Sequence, residues 1–285
     1  PEYDPTLLLT NSGMAPLKPY FLGVKNPPAS RLVNAQKCLR TGDIESVGDI
    51  HHLTFFEMLG NWSVGQPGFS DFRKEGGGPY FKAQACEFAL DLIREFGLDE
   101  SRLYFGIFGG DSNLPNVPSD KETKKAWLSS GVKKERILAL PLKDSFWFSG
   151  PAGPCGPNTD VIYDLGENFS CGQKECGPTH DCGRFLEIWN AGVFMMYNRM
   201  EDGTLSQLSI KSVDAGAGLE RFTMVLQGGK SVYDTDLFGS QILQIKELAE
   251  ISADNIDERS VRVIADHIRA ATFLVADGLR PGNTE

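Results

Sequence analysis

Arg40 closes a strand-like run, and two histidines and an aromatic pair follow it within sixteen residues: His51, His52, Phe55 and Phe56. A guanidinium can grip a phosphate or carboxylate through its planar fork. Phe56 has a flat face on which a base can stack. The same spacing also fits an ordinary hairpin with a surface arginine and a core aromatic pair. A second set gathers at Gly216, Gly218 and Arg221. A glycine-rich strand-to-helix junction lets backbone come close to a nucleotide, and an arginine there can lie along adenine or a phosphate. A third set is Cys171, Cys176, His180 and Cys182, three thiols and one imidazole within twelve residues of a Gly/Pro-rich loop. Those donors suit a tetrahedral Cys₃His zinc site that orders a loop poor in apolar side chains. A reduced metal-free loop and a redox role are the alternatives. No nucleophile–base–acid triad stands out. Chemistry with this inventory works by positioning and charge neutralisation.

These residues need a frame. Leu32 to Leu39 reads as a strand, Thr41 to Ile50 as a polar loop, and His51–His52 as the start of a second strand through Leu53, Phe55, Phe56 and Met58. Leu7 to Leu9 reads as a short strand and Gln66 to Gly78 as a loop. Pro79 to Phe96 is the clearest helix, with Phe81, Ala85, Phe88 and Leu92 on its apolar stripe and Ala89, Ile93 and Phe96 widening it. Strands are expected at Leu103 to Phe108, Ile137 to Leu142, Val161 to Tyr163, Phe185 to Tyr197 and Ser209 to Val213. Ala191–Gly192 breaks the alternation of the fourth and signals a bulge. Gly150 to Pro157 reads as a turn. Helices are expected at Asp120 to Ser130, Leu219 to Gln227, Asp234 to Ile251 and Glu258 to Asp277. Hairpin-linked strands in the middle with helices around them predict an α+β fold, helices packed on an antiparallel sheet.

The 285 residues are 41% hydrophobic and 23% charged, enough for a sizeable core. No apolar run approaches the roughly 20 residues that span a bilayer. The net charge of −10 argues against a general nucleic-acid binder, DNA included, and leaves room only for a local basic patch. Six cysteines, three of them isolated (Cys38, Cys86 and Cys155), suit a reducing cytoplasm better than a disulfide framework. The start at Pro1 and the stop at Glu285 read as a piece of a longer chain.

Six stretches carry a resemblance. Asp4 to Phe21, the QKCLR…HHLTFFEMLGNWS hairpin, GPAGPCGPNTDVIYD, RFLEIWN, SVDAGAGLER and VRVIADHIRAATFLVADGLRPGN occur in one order over nearly the whole chain. Together they resemble the class II aminoacyl-tRNA synthetases in their alanine-specific form, the hairpin as motif 2 and GAGLER as motif 3. The resemblance implies the family's antiparallel sheet, with an adenylate-forming domain over 1–232 and the start of a helical tRNA-recognition region over 233–285. It implies ATP, Mg²⁺, L-alanine and tRNA(Ala) as cofactors and partners.

It also assigns residues. Arg40 and Arg221 would be the catalytic arginines, Arg40 on the α-phosphate and the substrate carboxylate. ATP would further meet His52, Phe56, Trp147, Ile188, Trp189, Asn190, Gly216 and Gly218. Alanine would meet Arg40, Trp147, Asn190, Val193, Asp214 and Gly216, with Asp214 on the ammonium and Trp147 and Val193 walling the methyl. Gly42 stands where the wider class often has a glutamate. A methyl-sized pocket rejects glycine and serine weakly; the family's separate editing domain has no counterpart here. A synthetase-like paralogue for another small amino acid and an inactive RNA-binding relic are the competing readings. A relic has no need of Arg40, Asp214 and Arg221 together.

Overall fold

The computed structural model describes residues 9–65, 78–180, 182–249 and 257–282. The strand expected at Leu7 to Leu9 lies outside them but for Leu9, as does the loop over 66–77. The strands are β1 (Arg31–Leu39), β2 (Phe55–Val64), β3 (Leu103–Phe108), β4 (Ile137–Leu140), β5 (Phe146–Phe148), β6 (Gly153–Asp164), β7 (Phe185–Arg199) and β8 (Leu205–Gly218). The α-helices are α1 (Lys18–Phe21), α2 (Lys82–Glu95), α3 (Lys121–Ser129), α4 (Leu142–Ser145), α5 (Leu219–Gln227), α6 (Asp236–Leu248) and α7 (Glu258–Ala276). The sheet order is β1-β2-β8-β7-β6-β3-β4, with β5 on β6. The β3–β6, β5–β6, β6–β7 and β7–β8 pairs are antiparallel, as expected of an α+β fold, and β3–β4 is parallel.

The chain forms two compact units. One comprises 1–13, 36–58 and 218–285; the other comprises 14–35 and 59–217. In the first, Leu39, Phe55 and Ala270 form a small core with Leu9, Phe273 and Leu274 against it. Buried acids knit its distant segments. Asp266 of α7 accepts the Thr54 N–H at 2.8 Å. Glu220 of α5 accepts the Glu57 N–H and the Arg269 guanidinium, the latter at 3.0 Å.

The second unit holds most of the sheet. Met14, Phe21, Trp62, Val64, Val193 and Met195 pack on one side of it. Tyr80, Phe81 and Ala85 pack on Phe194 and Val213. Helix α2 starts at Lys82, later than expected, and Gly97 ends it at φ +71°. Its buried side is Ala85, Cys86, Ala89, Leu90 and Ile93. Phe88, Leu92 and Phe96 instead border an open cavity of about 670 Å³. The hydrophobic stripe ran wider than the surface the sheet had to offer, so its aromatic margin stays half in solvent.

The segment read as a turn at Gly150 to Pro157 is mostly strand: β6 begins at Gly153 and runs through both prolines. A register shift against β7 between Cys155 and Asn158 accommodates Pro157, which has no N–H to give the ladder. Gly156 is obligatory there, because a Cβ would lie 1.8 Å from the Phe194 carbonyl oxygen. The β7 bulge falls where expected, as a register shift against β8 between Asn190 and Val193.

Candidate functional site

Within the first unit, Arg40 follows the last residue of β1, its N–H bonded to the Thr54 carbonyl at 2.9 Å. Its Nε donates to the Asn11 carbonyl at 2.9 Å, and its guanidinium lies 4.9 Å from the centre of the Phe56 ring. The expected stacking face of Phe56 therefore already carries the arginine. This cation–π pair orients the guanidinium as well as a hydrogen bond would.

His51 and His52 are not strand residues, which corrects the sequence reading. They end the loop before β2, with ring centroids 4.2 Å apart. Asp49 explains this. Its Oδ1 accepts the N–H of both histidines, at 2.8 and 2.7 Å, and its Oδ2 meets His52 Nδ1. An Asx-type turn thus outcompetes the strand ladder. Burial alone would raise the Asp49 carboxyl, but the His52 ring and the two N–H groups hold it well below the usual carboxylate range. Gly218 is the N-cap of α5 with ordinary φ of −71°, and a Cβ there would meet only Arg221 carbons at 3.9 Å. Arg221 sits half-buried in the first turn of α5.

The second unit gathers the other set. The β7 bulge places Asn190 opposite Gly216 and Val193 opposite Asp214. Opposed residues share a face of the sheet, so residues three apart on β7 look the same way as Asp214 and Gly216. Val193 packs in a cluster with Trp62, and Trp147 of β5 lies against it. Trp62 Nε1 donates to Asp214 Oδ1 at 2.7 Å. Burial pushes the Asp214 carboxyl up to about 7, although the Trp62 N–H pulls it down. Asn190 Nδ2 donates to Asp160 Oδ1 at 2.8 Å. The wall is apolar and its polar groups are few and convergent, as a small-ligand site requires. Ile188 is fully buried. Trp189 is not brought to this face; it borders the cavity lined by Ala85, Phe88 and Leu92 of α2. Strand alternation sends it the opposite way from Asn190.

Sequence reasoning missed Asp49, Trp62 and Asp160. Each had a signal: an acid three residues before a histidine, an indole in a strand, and a carboxylate inside an apolar strand.

The cysteine loop belongs to the second unit and hangs from a closed stem. Arg184 Nε and Nη2 grip Asp164 at 2.7 and 2.9 Å, and Leu165 N–H bonds the Arg184 carbonyl at 2.8 Å. In the loop, Cys176 and Cys182 sulfurs lie 3.7 Å apart and Cys171 Sγ lies 3.6 Å from His180 Nδ1. The ligand atoms of Cys171, His180 and Cys182 all fall within 4.8 Å of one another. Cys38, Cys86 and Cys155 are buried and isolated, and burial pushes Cys38 up to about 12 and Cys155 up to about 11. No helix among the described residues is long and apolar enough to cross a membrane.

The chain is similar to known proteins along nearly its whole length. The alanine–tRNA ligase of Borreliella afzelii is 45% identical over 99% of this chain and 46% of its own. Those of Rubrobacter xylanophilus and Treponema denticola are each 42% identical, over 99% and 97% of this chain and 31% and 44% of their own. The chain thus spans between about a third and a half of the length of these curated relatives. Among solved structures, apo S. aureus histidyl-tRNA synthetase matches at 12% identity and a TM-score of 0.43, covering 84% of this chain and 60% of that one. The family model for class II (A) tRNA synthetases matches residues 1–285, and the chain belongs to that family.

Proposed function

We propose that this chain is the amino-acid-activating part of an alanine–tRNA ligase. A carboxylate oxygen of L-alanine attacks the α-phosphorus of ATP, the bond to pyrophosphate breaks, and alanyl-adenylate forms. A hydroxyl of the terminal adenosine of tRNA(Ala) then attacks the alanyl carbonyl and AMP leaves. Residues 233–285 would open a helical region for tRNA recognition, and the site of action would be the cytoplasm. The observation that carries the reading is the Asp214 carboxyl, one oxygen held by Trp62 and set beside the Val193–Trp147 wall. A half-buried acid next to a small apolar wall suits an ammonium and a methyl.

In the first unit, Arg40 would neutralise charge on the α-phosphate, and His52, held by Asp49, together with Arg221 would serve the outer phosphates and the base. Phe56 would steady Arg40. In the second unit, Asp214, Asn190 and Gly216 would bind the amino acid. ATP would enter as its Mg²⁺ complex, the metal adding charge neutralisation on the phosphates.

Amino-acid-dependent ATP–pyrophosphate exchange tests the reading across alanine, glycine, serine and no amino acid. The expected order is alanine first, with glycine and serine following by factors of about 10–200. Exchange strongest with another small amino acid would favour the paralogue. None at all in folded protein would favour a relic.

The cysteine loop fits structural zinc. With Zn–S near ~2.3 Å and Zn–N near ~2.0–2.1 Å, a tetrahedron has edges of about 3.8 Å between sulfurs and about 3.6 Å from sulfur to nitrogen, against the 3.7 and 3.6 Å found here. Cys171, Cys176, His180 and Cys182 would fill all four positions, leaving the metal no catalytic vacancy. Protein purified under reducing conditions is therefore expected to hold about one zinc per chain by elemental analysis. Chelation, or Cys182→Ser, should expose the stretch from Cys171 to Cys182 to protease while far-UV circular dichroism holds, because the Asp164–Arg184 stem closes the loop independently. Metal-free protein with a protected loop would refute zinc.

A further inference from the structure

Asn190 is an amide, and an amide can face a ligand with either its N–H₂ or its carbonyl. Which one it shows decides what it binds. Here the neighbouring strand makes the choice. Asp160 of β6 lies opposite Asn190 in the β6–β7 register and is 4% exposed. Its Oδ1 takes Asn190 Nδ2 at 2.8 Å, and its Oδ2 takes Asn158 Nδ2, also at 2.8 Å. Each carboxyl oxygen takes one amide N–H, so both amide nitrogens turn towards Asp160. Asn190 Oδ1 is left buried with no hydrogen-bond partner among the described residues. A buried acceptor without a donor is costly, and in a binding cleft it marks the place of a ligand donor.

We infer that Asp160 is a positioning residue for the amino-acid site: by holding the Asn190 N–H it fixes the Asn190 carbonyl as an acceptor aimed at the substrate ammonium. This rests on the function proposed above. The second acceptor on that face is Asp214, whose Oδ1 is taken by Trp62. An ammonium has three donors and no acceptor, so a site whose polar groups have been turned into acceptors selects it and disfavours a hydroxyl or a carboxylate in its place. Burial, with Glu187 adding to it, raises the Asp160 carboxyl. With a proton on Oδ2, Oδ1 is still an oxygen that accepts the Asn190 N–H, so the hold on Asn190 does not need the charge. Asp160→Asn, which keeps such an oxygen, is accordingly the conservative variant.

The experiment compares Asp160→Val, Asp160→Ala and Asp160→Asn in alanine-dependent exchange, alone and in an Asn190→Ala background, with melting curves for each. The expected result for Val and Ala is a KM for alanine raised about ten- to a hundredfold, with kcat and the KM for ATP within about threefold. Asp160→Asn should stay within about threefold throughout. In the Asn190→Ala background, Asp160→Ala should add nothing further. An equal rise in that background would mean Asp160 acts without Asn190 and would overturn the inference. A loss in kcat alone, or a KM for ATP that rises with that for alanine, would overturn it too. The Asn190 side-chain amide protons, followed by ¹⁵N-resolved hydrogen exchange, give a readout free of turnover. They should be protected in wild type and Asp160→Asn and unprotected in Asp160→Ala. Protection that survives in Asp160→Ala refutes the positioning. Wild-type protein with protected amide protons but no exchange activity would keep the positioning and refute the ammonium, and the function with it.

Discussion

Replacing Arg40 with alanine is expected to lower kcat/KM for alanine-dependent exchange by about 10³-fold, the scale set by other preorganised cationic contacts on a transferring phosphoryl group. The size follows from how the guanidinium is held. Its Nε is bonded to the Asn11 carbonyl and its guanidinium carbon lies 4.9 Å from the centre of the Phe56 ring, so its orientation is set before substrate arrives and little side-chain freedom is lost on binding. Arg40→Lys keeps the charge but has neither a planar fork nor an Nε to give Asn11. It should recover less than tenfold of the loss, because an arginine bonded through Nε and set against a ring is not replaced by a point charge. Phe56→Leu, which removes the ring and keeps the volume, should cost about tenfold through looser positioning. The measurement is steady-state exchange at saturating and limiting ATP, with circular dichroism to confirm the fold. An Arg40→Ala enzyme within tenfold of wild type would remove Arg40 from the phosphate site.

Much of this was legible in the sequence, and the parts that were not share a cause. Local chemistry came through: the bulge at Ala191–Gly192 and the cap at Gly97. Long-range competition did not. His51 and His52 alternate like strand residues, yet Asp49 captures their backbone N–H groups before the ladder can. Gly150 to Pro157 has turn composition, yet β7 and β5 on either side draw most of it into a strand. Phe88 and Phe96 look like core because hydrophobicity says that a side chain will be covered without saying by what. The first unit is built from three separated segments, two of them joined by Asp266 to Thr54 and Glu220 to Glu57. Those bonds link residues 212 and 163 positions apart, and no local pattern encodes them. Asp160 shows the same limit: its partner lies on a neighbouring strand 30 positions away.

Asp214→Asn carries the other large effect. Removing one partner of a buried charge pair costs about 3–5 kcal/mol, so the KM for alanine should rise about 10²–10⁴-fold while the KM for ATP stays put. The pH dependence makes the prediction specific. Only the ionised carboxylate attracts an ammonium, and burial places the unliganded Asp214 carboxyl at about 7. The KM for alanine should therefore be flat above about pH 7 and climb as pH falls below it, approaching tenfold per unit. The sign for folding is the opposite. An acid whose folded value lies above its ordinary one binds more protons in the native state, so the unliganded protein gains stability as pH falls from about 7 towards the usual carboxylate range. Substrate affinity and the stability of the free protein should thus move in opposite directions through one titration. Asp214→Asn abolishes both arms. Trp62→Phe removes the N–H that holds the carboxyl down, so its KM arm should shift to higher pH with the apolar wall kept. Exchange kinetics from pH 5.5 to 8.5 on the three proteins, beside thermal melts at the same pH values, decide the matter. A KM arm that persists in Asp214→Asn would assign the titration, and with it the ammonium contact, to another group.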